Sequence, residues 1–389
     1  MIMRDVAVVG VGLSKFGERW SSGLKELMAE AGVGAIEDAQ ITSDDVEMIF
    51  GGTMASGSFT GQEHIAALMA DQLGFKNIPA VRIENACASG GSSLRLGYMA
   101  VASGIHDIVV VGGVEKMTDV TSAEAGTALG GAGDQEWELF QGITFPGLYA
   151  MMAKRHMYEY KTTEEMLASV AVKNHANAYL NKYAQFHKKL TIDEVLSSKM
   201  VSDPLKLFDC SPISDGAAAL VLAPLEVAKK YNDTPIKILA SEQASDTLRL
   251  AERDSLTGIK ATTLAAQKAY KRAKVEAKDI KIAEVHDCFT IAEIMAMEDL
   301  GFYEKGRAGR AVLDGETALN GKISINTSGG LKGCGHPVGA TGVKQAVEVV
   351  WQLRGQAGER QVSGADIGLT HNVGGSGATA VVHIFGRTN

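Results

Sequence analysis

One cysteine in this chain stands where a protein would make a nucleophile. Cys87 lies in Asn85-Ala86-Cys87-Ala88-Ser89-Gly90-Gly91-Ser92-Ser93, after a short strand-like run over 78–83. Beyond it Leu94, Tyr98, Met99 and Val101 recur at helical spacing, and Gly104 supplies a stop. Cys87 is therefore expected in a strand-to-helix turn, where backbone N–H groups and the positive end of the helix dipole favour a thiolate. The neighbouring glycines and serines let a substrate come close to the backbone. Local context does not decide the matter, because many free cysteines are small buried hydrophobes.

Three more polar clusters sit at expected turns, the places where ligands collect in α/β sheets. They are His286-Asp287-Cys288-Phe289, the glycine-rich run 333–342 around His336, and His371-Asn372-Val373-Gly374-Gly375-Ser376-Gly377. A single histidine at a strand end commonly just caps a carbonyl. Cys87, His286 and His336 at corresponding turns of two similar halves would instead meet in one crevice.

The elements that must hold these turns follow a strand–helix rhythm. Strands are expected over 6–12, 46–52, 78–83 and 107–113, with helices over 22–39 and 62–73 and after Cys87. The opening strand runs into Gly10-Val11-Gly12, but Lys15 stands where a dinucleotide fingerprint needs its third glycine. Residues 118–205 lose the rhythm and are rich in Met, Tyr, Lys and His. They are read as an insertion over the core, with an amphipathic helix at 164–181. The rhythm returns in the strand 215–222. Strands at 236–240, 279–286, 323–330, 367–370 and 378–385, with helices over 260–273 and 342–354, then echo the first half in order. The expected division is 1–117 for the first half of the core and 118–205 for the insertion. Residues 206–235 return to the first half, and 236–389 form the second.

Composition bounds the rest. With 389 residues and a formal charge of −8, the chain can bury a large core and lacks the basic surface of a nucleic-acid or anionic-membrane binder. Four cysteines, Cys87, Cys210, Cys288 and Cys334, lie far apart with no C-x-x-C pair, so neither a disulfide framework nor a zinc knuckle is expected. With no signal peptide and no apolar run of membrane-spanning length, a cytoplasmic setting is expected.

The motifs together resemble the thiolase superfamily over essentially the whole chain. They are the N-A-C-A-S-G-G turn at Cys87, D-C-S-P-I-S-D-G-A-A-A at 209–219 and G-H-P-V-G-A-T-G at 335–342. The His286-Asp287-Cys288-Phe289 turn is similar to that of the sterol-carrier-protein-type subgroup, which includes archaeal acetoacetyl-CoA thiolases. The resemblance implies a duplicated five-layered α-β-α-β-α fold and Claisen condensation of two acetyl-CoA through an acetyl-Cys87 intermediate. It implies His336 as the acceptor of the Cys87 proton, and His286 and His336 as donors to the enolate oxygen. A second oxyanion hole would use the N–H groups of Cys87 and Gly374. Where many thiolases carry a second catalytic cysteine, this chain has Asn372, which has no useful pKa. Cys288 is then expected as the acid/base, with His371 ranked second.

No cofactor or metal is implied beyond coenzyme A thioesters as substrates. The insertion holds an excess of positive groups, Arg155, Lys173, His175, Lys182, His187, Lys188 and Lys189, and Lys188 and Lys189 are the candidates for CoA phosphate contact. The resemblance also implies a homodimer or dimer of dimers and a role early in mevalonate synthesis. A complex with hydroxymethylglutaryl-CoA synthase, bridged by a small zinc-ribbon/OB-fold protein, goes with it. The competing readings are a degradative 3-ketoacyl-CoA thiolase, a ketoacyl synthase fed by a carrier protein, and a non-catalytic acyl-CoA-binding scaffold.

Overall fold

The opening run is a strand to its end, β1 (Val6–Leu13), and every residue in it is buried. Gly10 and Gly12 do not turn the chain. A Cβ on either would overlap the backbone of Ala35 or Ala31 in the first helix, α1 (Leu24–Asp38), so they let that helix lie against the strand. Side chains alternate across β1, with Ala7 and Val9 on one face and Val6 and Val8 on the other. Each set enters a different hydrophobic core. A strand buried on both faces needs helices on both, and this sets the layering.

The computed structural model describes residues 3–388. Nine further strands join β1 in one sheet: β2 (Met48–Gly52), β3 (Ala80–Ile83), β4 (Val109–Glu115), β5 (Gly216–Pro224), β6 (Ile236–Ser245), β7 (Ile282–Glu284), β8 (Ser324–Ile325), β9 (Ile367–Gly374) and β10 (Thr379–Arg387). Their order is β8-β7-β9-β10-β6-β1-β5-β4-β2-β3. Read outward from the β6–β1 junction, each half runs first, fifth, fourth, second, third. In each half the second strand lies parallel to the third and fourth, and the other pairings are antiparallel. The duplication read from the sequence is thus present in topology and in strand direction. Within the sheet, among the described residues, the two halves pair at Ala7↔Lys237 and Val8↔Ile236.

Helices α1 and α2 (Ile65–Gln72) cover the outer face of the first half through Leu27, Ala31, Ile65 and Met69. Helices α3 (Ser89–Ala102) and, near the C-terminus, α9 (Thr341–Arg354) pack on each other and on strands of both halves. Leu94, Val343, Val347 and Val350 fill that middle layer. The outer face of the second half carries α7 (Lys260–Ala273) and α8 (Thr290–Asp299). Helix, sheet half, paired helices, sheet half, helix: these are the five layers the resemblance implied.

Residues 118–205 add no strand to this sheet. They form α4 (Ser122–Gly130), α5 (Phe145–Tyr160) and α6 (Glu164–Tyr179), each opened by a threonine whose hydroxyl accepts a first-turn N–H: Thr121, Thr144 and Thr163. The α6 helix is more buried than a surface amphipathic helix. Lys173 meets Glu293 of α8 at 3.0 Å, and Asn174 donates to Asp287 and Glu293, each at 2.7 Å. Asp287 also accepts Leu331 N–H at 2.7 Å. The carboxylate beside Cys288 therefore ties the insertion to the second half.

Candidate active site

The Cys87 elbow is built by a backbone turn that few residues adopt. Ala86 has φ of +50°, in the left-handed region, one residue before the nucleophile. Its N–H donates to Glu84 Oε1 at 2.6 Å, and the Ser89 hydroxyl donates to its carbonyl at 2.6 Å. Ser89 Oγ in turn accepts Asn85 N–H at 2.9 Å. These bonds hold the Cys87 sulfur at the mouth of α3, in a cavity of about 730 Å³ that Cys288 and His336 also line.

The cavity corrects one expectation about that sulfur. Burial, with Glu115 and Glu84 adding to it, pushes the Cys87 thiol up to about 12, against hydrogen bonds from Gly375 N–H and its own N–H. Desolvation outweighs the helix terminus. Cys87 at rest is a thiol, and a base must take its proton. The backbone donor at the sulfur is Gly375, the neighbour of Gly374, which was expected as a donor to the oxyanion.

Two histidines face Cys87 in opposite tautomers, as their partners assign them. Thr341 spends its only hydroxyl hydrogen on Pro337 O at 2.9 Å, so its oxygen must accept from His336 Nδ1–H at 2.7 Å. His336 Nε2 is then a bare lone pair. Burial, with Lys344 nearby, holds its pKa down at about 3. It is a neutral base.

His286 is set the other way. Asn372 accepts Gly91 N–H on Oδ1 at 3.1 Å, which fixes its amide, and Nδ2 donates to Cys87 O at 2.9 Å and to His286 Nδ1 at 3.2 Å. The ring must carry its proton on Nε2, and that atom is buried with no partner. Burial, then the His336 and His371 rings, keeps His286 neutral, well below its ordinary pKa. The two rings lie edge to face with centroids 5.1 Å apart. A buried N–H left unpaired beside a nucleophile is a donor waiting for an oxyanion. At rest only His286 offers an N–H; His336 becomes a donor once it holds the Cys87 proton.

Among the described residues, Cys87, His286 and His336 are also the one set of three metal-ligating side chains that converges, with ligand atoms within 4.8 Å of one another. A thiolate and two imidazoles would suit zinc. The hydrogen bonds do not fit that use, since Asn372 holds the His286 proton on Nε2 and leaves His336 Nε2 as the one bare imidazole nitrogen beside Cys87.

Cys288 is 6% exposed and lines the cavity. Burial raises its pKa well above that of a free thiol, and Cys87 and Asp287 add to this. His371 is not in the cavity. It points to the other face of β9, with Nε2 2.8 Å from Thr262 Oγ1 on α7. Alternation along the strand gives Asn372, not His371, to the nucleophile.

The charged candidates of the insertion lie elsewhere. Lys188 pairs with Glu194 at 2.9 Å and Lys189 sits over the Tyr179 ring, and neither lines the cavity. Lys173 and His175 are committed to internal partners, and Arg155 pairs with Glu159. Among the described residues no lysine or arginine lines the cavity, whose walls are mostly apolar.

Sequence reasoning missed Glu115, Thr341 and Asn372 as positioning groups. Glu115 accepts Thr53 Oγ1–H at 2.9 Å and the N–H groups of Met54 at 2.8 Å, Ala55 at 3.2 Å and Gly339 at 3.0 Å. It pins the His336 loop to the first half. Thr341 stood in the G-H-P-V-G-A-T-G run, five residues after its histidine and at the first position of the helix that follows.

With this geometry in view, comparison with known proteins is informative. Residues 6–226 match the family model Thiolase, N-terminal domain, and 242–387 match Thiolase C-terminal domain-like. An acetyl-CoA acetyltransferase of Methanothermobacter thermautotrophicus is 58% identical, over 99% of this chain and 100% of that protein. Sterol carrier protein 2 of Gallus gallus is 37% identical, over 98% of this chain and 72% of that protein. Among solved structures, an Ltp2-ChsH2(DUF35) aldolase superposes with a TM-score of 0.85 at 26% identity, covering 99% of this chain and 98% of that one. The chain belongs to the thiolase family. It is an enzyme of the acyltransferase class, and its likeness runs to the archaeal and sterol-carrier-protein members that its His286-Asp287-Cys288-Phe289 turn indicated.

Proposed function

We propose that this enzyme is an acetoacetyl-CoA thiolase, interconverting acetoacetyl-CoA plus CoA with two acetyl-CoA. The observation that carries the reading is the pair of opposite tautomers against Cys87, a base at His336 and a donor at His286, with a second thiol in the same cavity. The resting protonation states suit thiolysis as they stand. His336 Nε2 takes the Cys87 proton, and the thiolate attacks the C3 carbonyl of acetoacetyl-CoA. N–H groups of Cys87 and Gly375 hold the tetrahedral oxyanion. The C2–C3 bond breaks, and the enolate of acetyl-CoA leaves with its oxygen on His286 Nε2–H. Cys288 S–H protonates its carbon, leaving acetyl-Cys87 and a Cys288 thiolate. Incoming CoA–SH gives its proton to Cys288 and its sulfur to the acetyl group. Cys87 then recovers its proton from His336, and the cycle closes. Condensation is the reverse path.

The apolar cavity suits a pantetheine arm, with the CoA phosphates left outside it. Its volume exceeds an acetoacetyl group, so longer 3-ketoacyl-CoA chains are the second reading. Cys288 counts against a carrier-protein synthase, which has no need of a second reactive thiol. A place at the start of mevalonate synthesis, and a complex with hydroxymethylglutaryl-CoA synthase through a small bridging protein, rest on the kinship alone. Co-purification of the chain from its source, with its partners identified, tests that complex.

Thiolysis of acetoacetyl-CoA, with 3-ketohexanoyl-CoA beside it, tests the activity. Rapid loss of the acetoacetyl-CoA enolate absorbance, abolished in Cys87→Ala and slow on the longer chain, is expected. Equal rates on both substrates would favour the broader enzyme, and no turnover of either would sink the thiolase reading.

A further inference from the structure

From the contacts of Tyr149 we infer that its hydroxyl is a positioning group for Cys288, supplying the hydrogen bond that lets the buried sulfur exist as a thiolate while a proton is in transit. The inference rests on the reading of Cys288 as the acid/base. Tyr149 stands in the second turn of α5, 1% exposed, with its ring stacked on Phe289 at a centroid distance of 4.6 Å. That stack fixes the phenol beside the residue that follows Cys288. The hydroxyl donates to Gly375 O at 3.1 Å, and Tyr149 lines the cavity together with Cys288, near enough for each to bear on the other's charge.

The one hydroxyl hydrogen can thus serve either the Gly375 carbonyl or the neighbouring sulfur. While Cys288 is a thiol, the phenol serves the Gly375 carbonyl. When Cys288 gives up its proton, the sulfur becomes the stronger acceptor and draws the phenol hydrogen to itself. No atom is transferred to or from Tyr149.

The surroundings show why such a donor is needed. Cys87 and Asp287 oppose negative charge on Cys288, and His336 lines the same cavity as a neutral ring with the neutral His286 ring packed against it. Arg253 is the cation that bears on Tyr149, and it is bonded to Ser376. Tyr149 and the Phe289 N–H are the groups that favour the thiolate.

Tyr149→Phe keeps the ring and its stack and removes only the hydroxyl. Two readouts separate the steps: acetylation of Cys87 by acetyl-CoA, followed by mass spectrometry, and incorporation of solvent deuterium into the methyl group of acetyl-CoA, followed against pH. A hydrogen bond to a charged group is worth enough that exchange should fall about 10- to 100-fold. The rising limb of its pH profile should move up by about one to two units, at ten-fold per unit. Acetylation should change by less than about three-fold, as expected for a group that does not touch Cys87.

Cys288→Ala runs beside it and should abolish exchange. If Cys288→Ala exchanges normally, the acid/base reading itself has failed. If it abolishes exchange but Tyr149→Phe keeps the wild-type rate and profile, only the Tyr149 inference is overturned. A parallel loss of acetylation in Tyr149→Phe would also overturn it, by assigning the hydroxyl to Gly375 and Cys87. Should Tyr149→Phe fold poorly, 3-fluorotyrosine incorporated in wild type strengthens the donor. It should move the limb to lower pH, and no movement counts against the inference.

Discussion

Asn372 shows most directly how one side chain can set the chemistry of another. It makes no bond to a reacting atom, yet its amide decides which nitrogen of His286 carries the proton. Replacement by aspartate tests this, because the carboxylate accepts where the amide donated. His286 would then donate from Nδ1 and turn a bare Nε2 to the cavity. Asn372→Asp should lower thiolysis kcat by about 10²- to 10³-fold, the usual effect of removing one oxyanion donor. It should also make the enzyme sensitive to zinc, since two bare imidazole nitrogens and Cys87 would then converge. Unchanged zinc inhibition alongside a normal rate would show that the His286 tautomer is not governed from Asn372. The sequence marked Asn372 only as a departure from other thiolases. Its role became legible once β9 turned it, and not His371, toward Gly91 and Cys87.

At the scale of elements, the site exists because two helices cross closely. A Cβ on Gly90 would come 2.7 Å from Gly339 O, one on Gly339 would come 2.5 Å from Val114 O, and one on Gly342 would overlap the Gly91 nitrogen. The N-terminal ends of α3 and α9 can then bring Cys87 and His336 within reach of each other. Gly342→Ala puts a methyl group against backbone, which cannot give way as a side chain can. Overpacking of this kind costs about 1–3 kcal/mol. We expect a lowered melting temperature and a fall in thiolysis greater than the loss of folded protein explains. A full-activity Gly342→Ala enzyme would mean that the crossing has slack. The sequence disclosed the order of these elements well, because strands buried on both faces and paired glycine turns leave strong patterns. It disclosed the insertion poorly. Tyr149 carries no motif, and the lysines proposed for CoA were chosen by charge alone, a property that surface ion pairs such as Lys188–Glu194 share.

For the molecule as a whole, acid stability follows from how its histidines and carboxyls are buried. His336, His371 and His383 are held at about 3 and His175 at about 4, while His286 lies well below its ordinary value; burial is the leading cause in each. Unfolded, each would take a proton near pH 6.5. Below that pH the unfolded chain binds more protons than the folded one, so these five groups withdraw stability as pH falls. Buried carboxyls act oppositely. Glu115 is raised to about 7, and Asp287, Asp209 and Asp299 are raised as well, all chiefly by burial. Between each raised value, about 7 for Glu115 and Asp287, and the unfolded values near 4 it is the folded chain that binds more protons at these sites, and acidification favours it. From pH 6.5 to about 5 the carboxyls offset only part of what the five histidines withdraw. Below about 4.5 the carboxyl contribution is nearly complete and the histidine slope remains. The melting temperature should therefore fall gently down to about pH 5 and then drop steeply toward pH 3.5. His383→Gln keeps a donor for the Gly91 carbonyl, which His383 meets at 3.1 Å, and removes one titrating ring outside the cavity. It should ease the acid slope by about 1.4 kcal/mol per pH unit, the equivalent of one proton. A melting curve that instead declines evenly from pH 6.5 would show that Glu115 and Asp287 stay ionised in the folded protein, held so by the N–H groups that point at them.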